Sequence, residues 1–225
     1  MKQLSVILLA GGIGSRMNSP IPKQFLMLQG KRIVNYSYDF FKNLGNIHEI
    51  IVVCDPSFRS YFEENEHVKL KFALPGTRRQ DSVFNGLSQV SENSDFVMIH
   101  DGARPFLNKK IVEMGINEAI LHGAATLATP LKFTVKQAGP NGLIKKTLDR
   151  STLFEIQTPQ IIKTEKLKQG FKVSHETNIE VTDDVSLIEL LGLPVKLVMS
   201  SYQNIKITTR DDLSLAEKIL ETYLP

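Results

Sequence analysis

The chain has 225 residues, with 27 Lys and Arg against 24 Asp and Glu, a net charge of +3, and 42% apolar and 23% charged residues. That length suits one large α/β domain or two small ones and buries a core without staples, while the small charge and the lack of any long basic run argue against a nucleic-acid binder. One cysteine, Cys54, excludes an intramolecular disulfide and fits a reducing cytoplasm; no apolar run approaches the ~18 residues of a membrane span.

Short apolar, β-branched runs alternate with segments of helical period. The first strand is expected at Ser5–Leu9 and runs into a glycine-rich turn. Val6 to Ala10 is too short for the apolar part of a signal peptide, so a cytosolic chain starting at Met1 is expected. Ile33, Val34, Ser37, Phe40, Phe41 and Leu44 then repeat at helical spacing. Strands follow at Glu49–Cys54 and Lys69–Leu74, a helix over Val83, Leu87 and Val90, a strand at Phe96–His100, a helix over Ile111–Ile120 and a strand at Ala125–Ala128. Lys132–Lys136 and Leu143–Asp149 flank an Asn-Gly turn and predict a β-hairpin. Thr182 or Asp183 caps a predicted helix over Val185–Leu191, which Gly192 ends. Strands at Val195–Met199 and Ile205–Thr208 precede a last helix over Leu213–Leu220, capped by Thr209 or Asp211.

This alternation predicts an α/β fold: a Rossmann-like, mostly parallel twisted sheet with helices on both faces and a protruding β-hairpin arm. No repeat or linker divides the chain, so residues 1–225 form one domain with the arm inserted at about 132–150. An isolated hairpin is marginally stable, which calls for a surface under it, such as a second subunit.

The chemistry concentrates in loops after strands. Leu8–Phe25, LLAGGIGSRMNSPIPKQF, lacks the third glycine of a dinucleotide fingerprint and the Gly-Lys-Ser/Thr ending of a P-loop. What remains is a loop whose amides can approach phosphates, with Arg16 and Lys23 to neutralise them. In PGTRRQDSV (75–83), Gly76 gives a turn where a ligand can approach, and Ser82 either caps a helix or donates to a base. In HDGARPF (100–106), Asp101 at a strand's end suits Mg²⁺, Arg104 can hold Asp101 or a phosphate, and His100 reads as structural. Thr134–Lys136, Asp149–Gln160, Thr182–Asp184 and Asn204–Thr208 supply hydroxyls and cations suited to a phosphorylated sugar alcohol. No Ser-His-Asp triad or zinc cluster is visible.

In order, LAGGIGSRM…PKQF, GTRRQDSV, HDGARP, TVK, DRSTLFEIQTPQ, TDD and NIKIT resemble the 2-C-methyl-D-erythritol 4-phosphate cytidylyltransferase family over nearly the whole chain. The resemblance implies a homodimer of nucleotidyltransferase domains clasped by the arm. It implies transfer of CMP from CTP to methylerythritol phosphate, with Mg²⁺ and release of pyrophosphate. It assigns the nucleotide to Ala10, Gly11, Gly12, Thr77 and Gly102, with Gly76 and Ser82 reading cytosine. Arg16 and Lys23 would grip the triphosphate, and Asp101 would serve the metal and ribose. Arg104, Thr134, Arg150, Thr158, Thr182 and Lys206 would address the polyol phosphate, Arg150 in the partner's site; Lys206 would also reach the α-phosphate. Arg16, Lys23, Arg150 and Lys206 would be the catalytic set. The attacking phosphate is already ionised near neutral pH, so no strong base is required.

Two positions depart from the family pattern. Phe133 stands where an Asp usually precedes the arm threonine, and Ala10-Gly11-Gly12 replaces the commoner Ala-Ala-Gly. The second variant is similar to the ribitol-5-phosphate cytidylyltransferases, which makes another polyol phosphate the alternative substrate; HDGARP, DRSTLFEIQTPQ and the TDD…NIKIT tail are more like the methylerythritol enzyme. A nucleotide-binding homologue without catalysis is a further alternative, motivated by Phe133 alone.

Overall fold

A computed structural model describes residues 2–12 and 21–223. Its centre is a seven-stranded sheet of order β11-β7-β10-β6-β1-β4-β5. The strands are β1 (Leu4–Leu9), β4 (Ile47–Val53), β5 (Lys69–Ala73), β6 (Phe96–Asp101), β7 (Ala124–Pro130), β10 (Phe154–Lys163) and β11 (Lys196–Met199). β1 pairs in parallel with β4 and β6, and β5 with β4; β10 alone runs antiparallel, between β6 and β7.

The apolar runs form central strands because both faces are covered. Leu4, Val6 and Leu8 of β1 point to one core with Val34 and Phe41 of α1 (Ile33–Lys42) and Val112 and Ile116 of α3 (Lys109–His122). Ile7 points to the other, with Val83 and Leu87 of α2 (Arg79–Leu87), Leu167 and Phe171 of α4 (Thr164–Thr177), and Leu187 and Ile188 of the short α5 (Ser186–Glu189). A third cluster joins Leu28, Ile33, Phe106, Ile207 and Leu220. It seats α6 (Arg210–Tyr223) against a small ribbon of β2 (Met27–Leu28) and β3 (Lys31–Arg32). Gln29 and Gly30, both at positive φ, make its two-residue turn.

Several expected boundaries change. Ile205–Thr208 is not a strand: Ile207 donates its N–H to Ala103 O at 2.9 Å, and its side chain enters the third cluster, so the segment lies on the loop after β6 and has no ladder partner. β10 replaces what reads in sequence as a loop motif. The arm ladder is β8 (Lys136–Ala138) with β9 (Ile144–Thr147), shorter than expected. Asp149 leaves the hairpin to accept the Ser151 N–H at 3.0 Å in a one-turn 3-10 segment. α5 is a single turn, begun by Asp183 accepting from Ser186 N at 3.1 Å. Thr209 does cap the last helix: Asp212 accepts its N–H at 2.8 Å and returns its own N–H to the Thr209 hydroxyl at 3.3 Å. Cys54 is fully buried. Among the described residues no helix is long and apolar enough to cross a membrane.

Candidate active site

Parallel strands in an open α/β sheet leave a crevice beyond their carboxyl ends, because each chain turns away there into its crossover helix. The loops after β1, β5 and β6 enclose a cavity of about 590 Å³ in that position. Gly11, Gly12 and Lys23 line one side, Gly76, Thr77, Arg79 and Ser82 a second, and Asp101, Gly102 and Lys206 a third.

The glycine turn is held from below and from the side. Gln24, only 3% exposed, donates its carboxamide to Ala10 O at 2.6 Å and Gly12 O at 2.9 Å. Gly11 has no room for a side chain, since an added Cβ would stand 2.5 Å from Cβ of Pro75. Two loops distant in sequence therefore pack backbone to ring. In the second, Gly76 N donates to Ser82 Oγ at 2.9 Å, and that hydroxyl donates to Arg78 O at 3.2 Å. Ser82 lies inside α2, so it shapes the preceding loop and does not cap the helix.

Asp101 ends β6 inside a cluster of cations. Lys206 Nζ is 2.9 Å from Oδ2, Arg104 Nε 3.5 Å from Oδ2, and Arg79 Nε 3.4 Å from Oδ1. Burial alone would push this carboxyl up, but Arg79, Lys206 and Arg104 outweigh it and hold it far below the usual carboxylate range. Arg79 also forks onto Asp184 at 2.8 and 2.9 Å. It thereby ties the loop before α5 to the end of β6.

Beneath Asp101 is a buried chain of hydrogen bonds. The Asp101 N–H donates to Thr158 Oγ1 at 3.1 Å, and Thr158 Oγ1 lies 3.0 Å from His100 Nδ1. His100 Nε2 faces Arg104 O at 3.1 Å. A carbonyl only accepts, so Nε2 carries the proton and Nδ1 accepts from the threonine. Burial pushes the His100 imidazole down to about 4, and it is neutral near pH 7. Arg104 donates to Asn204 O at 2.8 Å, and Asn204 Nδ2 donates to Thr158 O at 2.9 Å, which fixes the segment carrying Lys206.

The cavity thus gathers Lys23, Lys206, Gly11, Gly12, Gly76, Thr77, Ser82, Asp101 and Gly102. Ala10 lies just below it, buried. Arg104 stands behind Asp101, and Thr158 is 4% exposed with its hydroxyl spent on His100 and Asp101. Arg16 falls outside the described residues. Thr182 and Thr134 are exposed. Arg150 is exposed beside a shallower depression with Lys132, Phe154 and Met199, where it donates to Lys132 O at 2.6 Å. Neither Thr134 nor Arg150 lines the cavity of their own chain.

Sequence reading left out Gln24, Arg79, Asp184 and Asn204 as separate contributors. All four lie inside the quoted motifs, and that adjacency was the available signal; their partners are set by the fold. Among the described residues no three His, Cys, Asp or Glu side chains gather to hold a metal. Among the described residues one carboxylate, Asp101, lines the cavity. A single carboxylate completed by substrate phosphates and water is a donor set that Mg²⁺ accepts.

The sequence model described as 2-C-methyl-D-erythritol 4-phosphate cytidylyltransferase matches residues 4–222. The chain is 46% identical over 222 residues to the chloroplastic 2-C-methyl-D-erythritol 4-phosphate cytidylyltransferase of Oryza sativa, covering 97% of this chain and 75% of that one. It is 44% identical to the Chlamydia pneumoniae protein of the same name, covering 98% and 100%. Its structure superposes on the 4-diphosphocytidyl-2C-methyl-D-erythritol synthase of Anaerococcus prevotii with a TM-score of 0.86 at 28% identity, over 98% and 99% of the two chains. The Francisella tularensis cytidylyltransferase gives a TM-score of 0.83 at 30% identity, over 96% and 99%. The chain belongs to the 2-C-methyl-D-erythritol 4-phosphate cytidylyltransferase family.

Proposed function

We propose that this protein transfers CMP from CTP to 2-C-methyl-D-erythritol 4-phosphate, giving 4-diphosphocytidyl-2-C-methyl-D-erythritol and pyrophosphate, a step in making isoprenoid precursors without mevalonate. The observation that carries the reading is one cavity, in a chain of this family, that joins a glycine turn, two lysines and a strand-end aspartate.

Gly76, Thr77 and Ser82 face the base, and Gly11 and Gly12 let the phosphates approach the backbone. The polyol phosphate attacks the α-phosphorus in line with the departing pyrophosphate. No residue need remove a proton, so rate comes from positioning and from cations placed where charge grows. Lys23 serves the triphosphate, together with Arg16. Lys206 bridges Asp101 and the α-phosphate. Mg²⁺ would be held by Asp101 with the phosphates, and when bound it neutralises charge on the leaving group. Arg104 and Thr158 support the floor on which Asp101 stands.

The protein acts as a homodimer in this reading. The support is the arm, where Phe133 is 80%, Leu143 68% and Ile144 65% exposed in a single chain. Surface of that kind, on a hairpin too small to stand alone, asks for a partner. Arg150 and Thr134, at the arm's base, would then serve the partner's site. A single cysteine, Cys54, buried in the core, forms no intramolecular disulfide, and that fits a reducing cytoplasm. The test is pyrophosphate release from CTP with a panel of polyol phosphates. Fastest turnover of methylerythritol phosphate is expected, and a preference for ribitol 5-phosphate would reassign the substrate.

A further inference from the structure

We propose that Gln24 is a positioning residue for the triphosphate: it sets the glycine turn so that the backbone at Gly11 and Gly12 meets the nucleotide's phosphates. The proposal rests on the cavity being a CTP site. A carboxamide has two N–H bonds, and Gln24 directs both onto the turn, to Ala10 O at 2.6 Å and Gly12 O at 2.9 Å. These carbonyls bracket Gly11. In a trans peptide the C=O and the following N–H point in opposite directions, so fixing Ala10 O turns the Gly11 N–H to the side away from Gln24.

The clamp has a rigid base. Gln24 is the middle residue of the 3-10 turn Lys23–Phe25. Phe25 is buried at 3% exposure and stacks on Phe58 with centroids 4.1 Å apart. Lys23, on the other side, reaches the cavity lining. One turn therefore carries a core anchor, a backbone clamp and a cation, and it locks the lysine and the glycine turn into a common frame. Pro75 closes the remaining side of Gly11, at a distance that leaves no space for a Cβ. Without the clamp, the buried Ala10 carbonyl and the more exposed Gly12 carbonyl lose the Gln24 donor, and the turn has reason to rotate toward water.

The test compares Gln24→Met, which keeps length and loses both donors, with Gln24→His, which keeps one. Binding of CTP and of cytidine is measured by titration in each, with thermal melting and KM for the polyol phosphate. Gln24→Met should weaken CTP binding about tenfold or more, Gln24→His should fall between, and cytidine binding and the polyol phosphate KM should stay near wild type. A purely structural role would change melting and leave CTP and cytidine affected alike. CTP affinity within twofold of wild type in a folded Gln24→Met protein overturns the proposal. If neither variant folds, NMR of the unsubstituted protein decides: the Gln24 carboxamide protons should exchange slowly and shift with CTP but not cytidine, and rapid exchange with no shift overturns the proposal. Failure of the unsubstituted protein to bind CTP would instead remove the reading on which the proposal rests.

Discussion

Lys206, beyond the last strand of the sheet, places its Nζ 2.9 Å from Oδ2 of Asp101 at the end of β6. The pair brings the tail of the chain onto the floor of the cavity, and Lys206 stays 37% exposed there, open to a ligand. Lys206→Ala should lower kcat/KM by about two orders of magnitude or more, in the range of other deleted transition-state contacts, with little change in melting temperature. Steady-state kinetics beside a thermal melt checks this. Loss of fold without a specific loss of rate would place the lysine in the scaffold.

Asp101→Asn removes one buried negative charge and leaves Arg79, Arg104 and Lys206 facing each other. Breaking a buried ion cluster from one side costs about 3 kcal/mol or more, so the variant should unfold at clearly lower urea concentration. Because the folded carboxyl lies far below its unfolded value, its contribution is fully present above about pH 4 and declines only as pH falls further. Equal stability of the variant and wild type at pH 7 would contradict the described cluster.

His100 gives a second pH signature with its own window. Its folded value is about 4 against 6.5 when free, so between those values the unfolded chain binds more protons and stability rises with pH. One such group contributes a slope of up to about 1.4 kcal/mol per pH unit. Urea titrations from pH 4 to 7 should show this slope flattened in His100→Gln, which itself is less stable at pH 7. Glu49, held down to about 2 against burial by Lys71, Ser5 and Ser91, adds a separate loss only below pH 4.5. An unchanged slope in the His100 variant would mean that the imidazole is not buried neutral.

Leu143→Asp combined with Ile144→Asp should shift the sedimentation coefficient from dimer to monomer and lower activity, since Arg150 would lose the partner's site. A wild-type protein that sediments as a fully active monomer would refute the homodimer and the role of Arg150 in trans.

Much of this architecture was legible in the chain because buried parallel strands announce themselves as apolar runs. Ser5–Leu9 and Glu49–Cys54 are such runs, and they fall on β1 and β4 within a residue or two. β10 escaped because its buried residues include Gln157, Thr158 and Gln160, whose polarity is satisfied by partners that sequence does not display. α4 escaped because few apolar residues mark its inner face and Gly170 sits where Leu187 packs close. Ile205–Thr208 has a strand's alternation but spends it on a loop and a satellite core. The site followed the same rule. Glycines, lysines and Asp101 could be named from motifs, while Arg79–Asp184 and Gln24 with the Ala10 and Gly12 carbonyls are relations between distant residues, created by the fold.

The central claim is a cytidylyl transfer to one particular polyol phosphate. The most direct measurement is the rate of pyrophosphate release by the purified protein with CTP and Mg²⁺, presented in turn with 2-C-methyl-D-erythritol 4-phosphate, ribitol 5-phosphate and no acceptor. The account predicts rapid release with the first, much slower release with the second and almost none with the third. Tight CTP binding with no release on any acceptor, or faster release with ribitol 5-phosphate, would contradict it.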